Sequence, residues 1–223
     1  MSKRFAIRDM GTCVETDGTT GFVVDNTTAL NWASSFSLTL WYYPMLMGVN
    51  QWFASRNATD TGGNWRIRKG TADNIQLYVE QSGGGTFNVS TDNRLKKNHW
   101  NTVGIGFNGT EVSVYLNGEI KSGTPTTAPL GGTGLEIGRA YLSQYAKGRF
   151  DDVMFYQGTG LTKDQFDGLF FDNIKPTNPT LHWKLDEATG DTAVDSSGNG
   201  NDGAIVNAVH SPEVFMIDRP VLG

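Results

Sequence analysis

The chain has 223 residues, of which 28 are glycine and one is cysteine, and its 18 basic and 23 acidic side chains give a net charge of −5. Glycine is well above its usual ~7%, and aromatic and β-branched residues outweigh the residues that sustain long helices, which argues against a helical protein and favours an all-β domain. The acidic balance disfavours a nucleic-acid partner, and the lone cysteine excludes an intramolecular disulfide or a cysteine-based zinc site.

The chain length is sufficient for one large core, so we expect a single domain over residues 1–223. The first ten residues lack the apolar run of a signal peptide, and no stretch approaches the ~18 apolar residues of a membrane span. We therefore expect neither export by a signal peptide nor membrane insertion.

Strand patterns recur along the chain with turn residues between them. The clearest begins at Phe36, where Phe36, Leu38 and Leu40 alternate with more polar positions until Pro44 ends the run. Further strands are predicted at 22–24, 52–55, 65–68, 75–79, 87–89, 135–138, 149–156 and 181–185.

Two local signals are stronger than the rest. Asn108-Gly109 separates two alternating apolar runs and predicts a tight hairpin, because both residue types tolerate positive φ. Residues 161–170 are the one plausible helix, with Thr162 as N-cap and Gln165 in the position of a capping box. The pattern as a whole predicts an antiparallel two-sheet β-sandwich with one short helix.

Five motifs together resemble the laminin G-like, concanavalin A-like jelly-roll family. They are Phe36–Pro44, His99–Glu119, Gly148–Tyr156, Trp183–Glu187 and Asp195–Gly203. The resemblance implies a jelly-roll fold over most of the chain from Cys13 onward.

One motif pair departs from the family order. The segment with Trp183 and the loop with Asp195 usually open the family domain, whereas here they come near the end of the chain. Either residues 181–223 supply the strand and loop that normally open the domain, as in a circular permutant, or they begin a second copy. We favour permutation, because so few residues follow Asp202 that they cannot build another sandwich.

Catalytic groupings are missing from the sequence. Glu15-Thr-Asp17 starts the Glu-x-Asp-x-x-Glu spacing of jelly-roll glycosidases, but Thr20 occupies the third acidic position. The three histidines lack the motif settings of hydrolases. We expect that the protein is not an enzyme, and a polysaccharide hydrolase or lyase is the least favoured alternative.

Aromatic side chains are the candidate ligand-binding residues. Trp41 and Tyr43 share the strand face opposite Phe36 and are expected to line a concave surface, while Trp52 and Trp65 flank a polar stretch at 57–64. Exposed rigid rings can stack on sugar faces with little loss of entropy. For any single tryptophan, packing in the core is the competing interpretation.

A calcium ion is the one cofactor that the sequence suggests. Asp195, Ser197 and Asn199 alternate like the start of a calcium loop, although Val206 stands where the bidentate glutamate would be. The alternative is a loop whose side chains hydrogen-bond their own backbone. The family resemblance adds Asp151 and Asp152 to Asp195 as metal-binding candidates.

We therefore expect a non-catalytic binding or structural protein. The favoured hypothesis is a surface component of a phage virion, either a capsid decoration or a tail appendage, because a virion protein leaves the cell by lysis without a signal peptide. Its partner would be a glycan or a surface protein, with assembly as a homo-oligomer or on a larger particle. The alternative is a lectin-like, carbohydrate-binding adhesion module of an extracellular bacterial protein.

Overall fold

The computed structural model describes residues 11–25, 30, 32, 34–56, 65–140 and 144–212. These residues form eighteen strands and one helix. The first strands are β1 (Thr12–Asp17), β2 (Phe22–Asp25), β3 (Phe36–Pro44), β4 (Gln51–Ser55), β5 (Trp65–Lys69), β6 (Ile75–Glu80), β7 (Thr86–Ser90), β8 (Asn101–Phe107) and β9 (Val112–Leu116). They continue as β10 (Glu119–Gly123), β11 (Leu135–Ile137), β12 (Arg139–Ala140), β13 (Gln144–Tyr145), β14 (Lys147–Gln157), helix α1 (Lys163–Phe171), β15 (Leu181–Trp183), β16 (Thr192–Ala193), β17 (Gly203–Val206) and β18 (Val209–Pro212).

The strands form two large antiparallel sheets and one small one, which confirms the predicted sandwich. The first sheet has the order β10-β9-β8-β3-β14-β1-β18, with β15 paired to the far half of β14. The second sheet has the order β16-β17-β2-β11-β4-β5-β6-β7, and β12 pairs with β13. Sequence neighbours often lie in different sheets, as expected for a jelly roll.

The core lies between the two large sheets and is rich in aromatic rings. Phe36 on β3 contacts Trp65 on β5 edge-to-face, with ring centroids 4.6 Å apart. Phe36 also stacks on Phe155, and Trp32 packs against both of these phenylalanines. Such edge-to-face and offset arrangements are the favourable ones for aromatic pairs. The alternating apolar positions of the sequence are therefore the ones that join the sheets.

The hairpins follow turn chemistry, with one difference from the prediction. The predicted hairpin exists, since β8 pairs with β9, but Asn108-Gly109 begins a four-residue loop that joins Phe107 to Val112. The Asn108 side chain accepts hydrogen bonds from the backbone N–H groups of Thr110 and Glu111. The two-residue turn lies one strand later, at Asn117-Gly118, where φ is 49° and 91°. Positive φ at both positions is the type I′ turn that suits strand twist.

Helix α1 packs on the outer face of the first sheet and begins at the predicted N-cap. The Thr162 side chain accepts from the backbone of Gln165, and the Gln165 side chain accepts from the Thr162 backbone in return. Phe166 lies over Gly104, where any Cβ would overlap the Phe166 ring. The same ring stacks on Tyr115 with centroids 4.9 Å apart. Because Gly104 on β8 has no side chain, the Phe166 ring of the helix can pack directly on the sheet.

The late segment contributes strands to both sheets. Residues 181–183 extend the first sheet beside β14, β17 pairs with β2 in the second sheet, and β18 pairs with β1. The predicted replacement of the family's opening strand by residues 181–223 stays a prediction, and residues 213–223 lie outside the described part. Among the described residues, no helix has the length and apolarity that crossing a membrane requires.

Candidate functional site

Trp41 and Tyr43 lie on the outer face of the first sheet, but the structure corrects the expectation that they form an open surface. Trp41 is only 5% exposed, and the Phe170 ring of α1 stands perpendicular to it at 5.8 Å. Tyr43 is nearly buried between Trp100 and the Arg149 guanidinium. Because the helix and neighbouring side chains cover these two rings, a sugar cannot stack on them in this arrangement.

Trp65 is a core residue, so its predicted role in ligand binding is also corrected. Its side chain is fully buried and packs against Phe36 and Phe107. Its indole N–H donates to the Leu130 carbonyl at 3.2 Å. The physical reason is the period of β5, which places Trp65 opposite Val79 on the face that joins the sheets.

Trp52 has the environment that a binding residue needs. It is half-buried and lies on the outer face of the second sheet, opposite Arg68 on β5. A β-bulge after Trp52 shifts the register, so that Ala54 and Ile67 form the next pair and both enter the core. Bulges re-aim side chains in this way. Of the four predicted ligand-binding aromatics, this is the one that the fold leaves partly open.

A cluster of polar and aromatic side chains surrounds Trp52. We name it the Trp52 surface and define it by the outward-facing residues of β4, β5 and β6: Trp52, Arg66, Arg68, Gln76, Tyr78 and Glu80. The alternate residues of these strands, Ile67, Leu77 and Val79, are fully or almost fully buried in the core. Because successive side chains of a strand point to opposite faces of the sheet, one face packs in the core and the other carries the polar and aromatic side chains.

Arg68 occupies the centre of the Trp52 surface. Its Nε donates to Oε1 of Gln76 at 2.8 Å, and its Nη2 donates to the Tyr78 hydroxyl. Its Cζ lies 5.2 Å from the Trp52 ring centroid and 4.7 Å from that of Tyr78. The Trp52 and Tyr78 rings meet edge-to-face at 5.3 Å. These contacts fix the guanidinium and both rings before any ligand arrives.

Arg66 has a different set of partners. Its guanidinium forms a salt bridge with Glu80 at 3.2 Å and lies 5.5 Å from the Trp52 ring. Burial lowers the pKa of Arg66, and Glu80 opposes that shift. An arginine stays protonated in any case. The Trp52 surface therefore combines aromatic rings for stacking with fixed N–H donors and hydroxyl or amide groups for hydrogen bonds to sugar hydroxyls.

The sequence contained a signal for these additional residues. In residues 65–68 and 75–80, apolar and polar positions alternate strictly, so Arg66, Arg68, Gln76, Tyr78 and Glu80 had to share the face opposite the core. What the sequence lacked was the pairing register. Only the register places Trp52, Arg68 and Gln76 side by side across three strands.

Asp195 organises the loop that follows β15. Its carboxylate accepts from the backbone N–H of His182, Ser197 and Asn201 and from the Ser197 hydroxyl. Burial raises the pKa of this carboxyl, but these hydrogen bonds outweigh burial and hold the pKa below its ordinary value of 3.8. This is the pattern of a loop whose side chains bond their own backbone, the alternative considered for this motif.

Of the three predicted metal-binding aspartates, Asp151 and Asp152 are neighbours on β14, and Asp195 lies in the loop after β15. Oδ1 of Asp152 lies within hydrogen-bond distance of Nε2 of His182, at 2.6 Å, while Asp195 accepts from the backbone N–H of the same histidine. Asp151 is nearly buried and pairs with Trp41 in the strand register. In the described part of the chain, no group of three or more His, Cys, Asp or Glu side chains is arranged to hold a metal. Calcium at Asp151, Asp152 and Asp195 stays a prediction.

The family of the chain follows from comparison of its sequence. The family model of the concanavalin A-like lectin/glucanases superfamily, of laminin G type, matches residues 16–165. The chain therefore belongs to this superfamily, which confirms the resemblance read from the motifs. No curated protein sequence matches the chain.

Solved structures with the same fold are distant in sequence. A candidate carbohydrate-binding protein from Bacteroides ovatus is 16% identical with a TM-score of 0.65, over 92% of this chain and 60% of that one. The sialidase CBM40 of Ruminococcus gnavus, bound to α2,3-sialyllactose, is 14% identical with a TM-score of 0.56, over 71% of this chain and 96% of that one. A heptameric SAP-like pentraxin from Limulus polyphemus is 12% identical with a TM-score of 0.56, over 74% and 83%. At these identities the likeness concerns the fold.

Proposed function

We propose that this chain is a non-catalytic glycan-binding module whose ligand lies on the Trp52 surface. The observation that carries the proposal is the partly exposed Trp52 ring, held against Tyr78 and Arg68 on an ordered sheet face. A rigid aromatic ring loses little entropy on stacking against a sugar, and fixed polar neighbours orient the hydroxyls. Two of the structural relatives are described by carbohydrate binding, which supports the same class of ligand.

The carboxylates of the second sheet support a binding role over a hydrolytic one. Glycosidases need two carboxyl groups, one to carry a proton and one to act as base or nucleophile. Among the described residues of this sheet, Glu80 forms a salt bridge with Arg66 at 3.2 Å, and Glu136 forms one with Arg139 at 2.7 Å. Both carboxylates are thus committed to ion pairs. A glycan would be held on this face without being cleaved.

Replacement of Trp52 tests the proposal directly. We expect Trp52→Ala to weaken glycan binding by tenfold or more, because the stacking surface is lost. Trp52→Phe should keep most of the affinity, since it retains a ring. The measurement is a glycan array to find ligands, followed by titration calorimetry on the best one.

The matched control is Val209→Ala, which shortens an exposed apolar side chain on the first sheet. It should leave both binding and the circular dichroism spectrum unchanged. If wild type binds a glycan and the folded Trp52→Ala variant binds it equally well, the ligand does not lie on the Trp52 surface. If wild type binds no glycan on a broad array, the proposed function is wrong.

The biological setting of the module stays a prediction. Placement on a phage virion was inferred from the sequence, with an extracellular bacterial adhesion module as the alternative. Copurification of the chain with assembled particles is the test: its presence in them supports the virion, and its consistent absence from them contradicts it.

A further inference from the structure

We infer that the Trp52 surface selects acidic glycans, with Arg68 contacting the carboxylate or sulfate of the sugar. This inference rests on the proposed function and adds the chemical class of the glycan. It is carried by one feature of the surface: a fixed, partly buried cation whose partners among the described residues are all neutral.

The partners of Arg68 orient its guanidinium without neutralising it. Gln76 and Tyr78 supply the hydrogen-bonding oxygens, and the Trp52 and Tyr78 rings supply the flanking surfaces. Among the described residues, no carboxylate pairs with Arg68, and no acceptor is bonded to its Nη1 nitrogen. A guanidinium group carries a delocalised positive charge. A full positive charge therefore lies beside the proposed stacking residue.

Other arginines of the two sheets are arranged differently. Arg66, Arg139 and Arg149 each contact a glutamate carboxylate, at 3.2, 2.7 and 2.7 Å. Those three charges are balanced within the fold. Arg68 is not balanced by any described carboxylate, although the chain carries more acidic than basic residues.

An acidic sugar would supply the missing counterion. A guanidinium binds carboxylate and sulfate groups through charge-assisted hydrogen bonds, and no described acceptor is bonded to the N–H donors of Nη1, whereas Nε and Nη2 donate to Gln76 and Tyr78. The Cζ of Arg68 lies 5.2 Å from the Trp52 ring centroid, so one monosaccharide can contact both groups. Because Gln76 and Tyr78 already hold the side chain, little entropy is lost when the anion binds. A neutral sugar would leave the charge unpaired.

Matched polymers separate charge from sugar recognition. Polygalacturonate is compared with its methyl ester, and dextran sulfate is compared with dextran, by titration calorimetry at low and at physiological salt. We expect each acidic polymer that binds to bind at least tenfold more tightly than its neutral partner. We expect the affinity to fall as salt rises, since surface charge interactions are screened. Preference within the first pair indicates a carboxylate, and preference within the second indicates a sulfate.

Variants of Arg68 then test whether its positive charge is the one that binds the acidic polymer. Arg68→Gln should lower the affinity for the acidic polymer by about tenfold to a hundredfold, the range for lost charge-assisted hydrogen bonds, and bring it to the level of the neutral partner. Arg68→Lys should recover only part of it, because a flexible ammonium group cannot reproduce the planar arrangement by which Gln76 and Tyr78 hold the guanidinium. The control is Arg149→Gln, which removes the same charge from the first sheet and should leave the acidic preference unchanged.

The outcomes distinguish this inference from the proposed function. If acidic and neutral polymers bind equally and Trp52→Ala abolishes both, glycan binding stands and the acidic preference is overturned. If Arg149→Gln reduces binding as much as Arg68→Gln does, the attraction is unspecific and the assignment to Arg68 is wrong. If none of the four polymers binds, acidic selection is overturned as stated, and the glycan array decides the proposed function separately.

Discussion

The outer faces of the two large sheets each carry a tryptophan, and the two rings differ in how far they are buried. On the first sheet, Trp41 points away from the core, and α1 covers it with Phe170. On the second sheet, Trp52 also points away from the core, but it stays partly exposed among polar side chains. Strand period decides which face a tryptophan occupies, while the covering element decides whether that face is available to a ligand.

The reason for the difference lies in what each face can pack against. Gly104 leaves a depression in the first sheet that accepts the Phe166 ring, so the apolar face of α1 packs on an apolar surface of the sheet. The second sheet presents Arg66, Arg68 and Gln76 at the corresponding positions, and an apolar helix face would have to desolvate them.

The largest effect on this contrast should come from the two tryptophans. We expect Trp41→Ala to lower the free energy of unfolding by about 3–5 kcal/mol, because a buried ring and its contact with α1 are lost. Trp52→Ala should cost only about 1–2 kcal/mol, since that ring is partly exposed. Urea unfolding followed by circular dichroism measures both, and glycan titration on the same samples should show the opposite order of effects. Equal stability losses in the two variants would contradict the difference in burial between the two rings.

A smaller effect should come from filling the helix seat. Gly104→Ala places a Cβ where the Phe166 ring lies, and we expect a loss of about 1–3 kcal/mol of unfolding free energy from overpacking. The double variant Gly104→Ala with Phe166→Leu should lose less than the sum of the single variants, because the smaller side chain relieves the overlap. Additive losses in urea unfolding would contradict the proposed contact. The Trp52 surface should be unaffected in all three.

An effect no larger than that of filling the helix seat concerns pH and the loop that Asp195 organises. Because the folded-state pKa of Asp195 lies below its unfolded value, this group stabilises the fold above about pH 4, and that contribution is lost as pH falls further. Asp195→Asn should cost on the order of 1–3 kcal/mol at pH 7, and the difference from wild type should shrink below pH 4.

The control for this loop is Asp186→Asn at an exposed position. Its difference from wild type should be small at every pH. Thermal unfolding between pH 3 and 7 provides the measurement. A constant difference between wild type and Asp195→Asn across that range would show that the ionised carboxylate is not what orders the loop.

Much of the fold was predictable because local chemistry determines it. The alternation after Phe36, the N-cap at Thr162 and the turn residues each act within a few positions of the chain. The loop at Asn108 shows the limit of that reasoning: the dipeptide that looked like a two-residue turn opens a longer loop, and Asn117 forms the tighter one. Turn residues therefore predict where the chain reverses, but they do not determine how many residues the loop contains.

The candidate site was only partly predictable. The polar stretch beside Trp52 and Trp65 predicts exposure for both rings, but the period of β5 directs Trp65 into the core. Arg68 and Gln76 were visible as alternating polar positions, yet nothing local connects them with Trp52. Their meeting depends on the pairing of β4, β5 and β6.

The sequence by itself determined the class of fold, the position of the helix, the turns and the residues that can face solvent, because these follow from short-range periodicity and backbone preferences. The tertiary structure alone decided which outward tryptophan is covered and which stays open, and which arginines find a carboxylate. Those outcomes depend on strand register and helix docking, which join residues far apart in the chain. Exposure and charge pairing are properties of that assembly, and they are what point to Trp52 and Arg68.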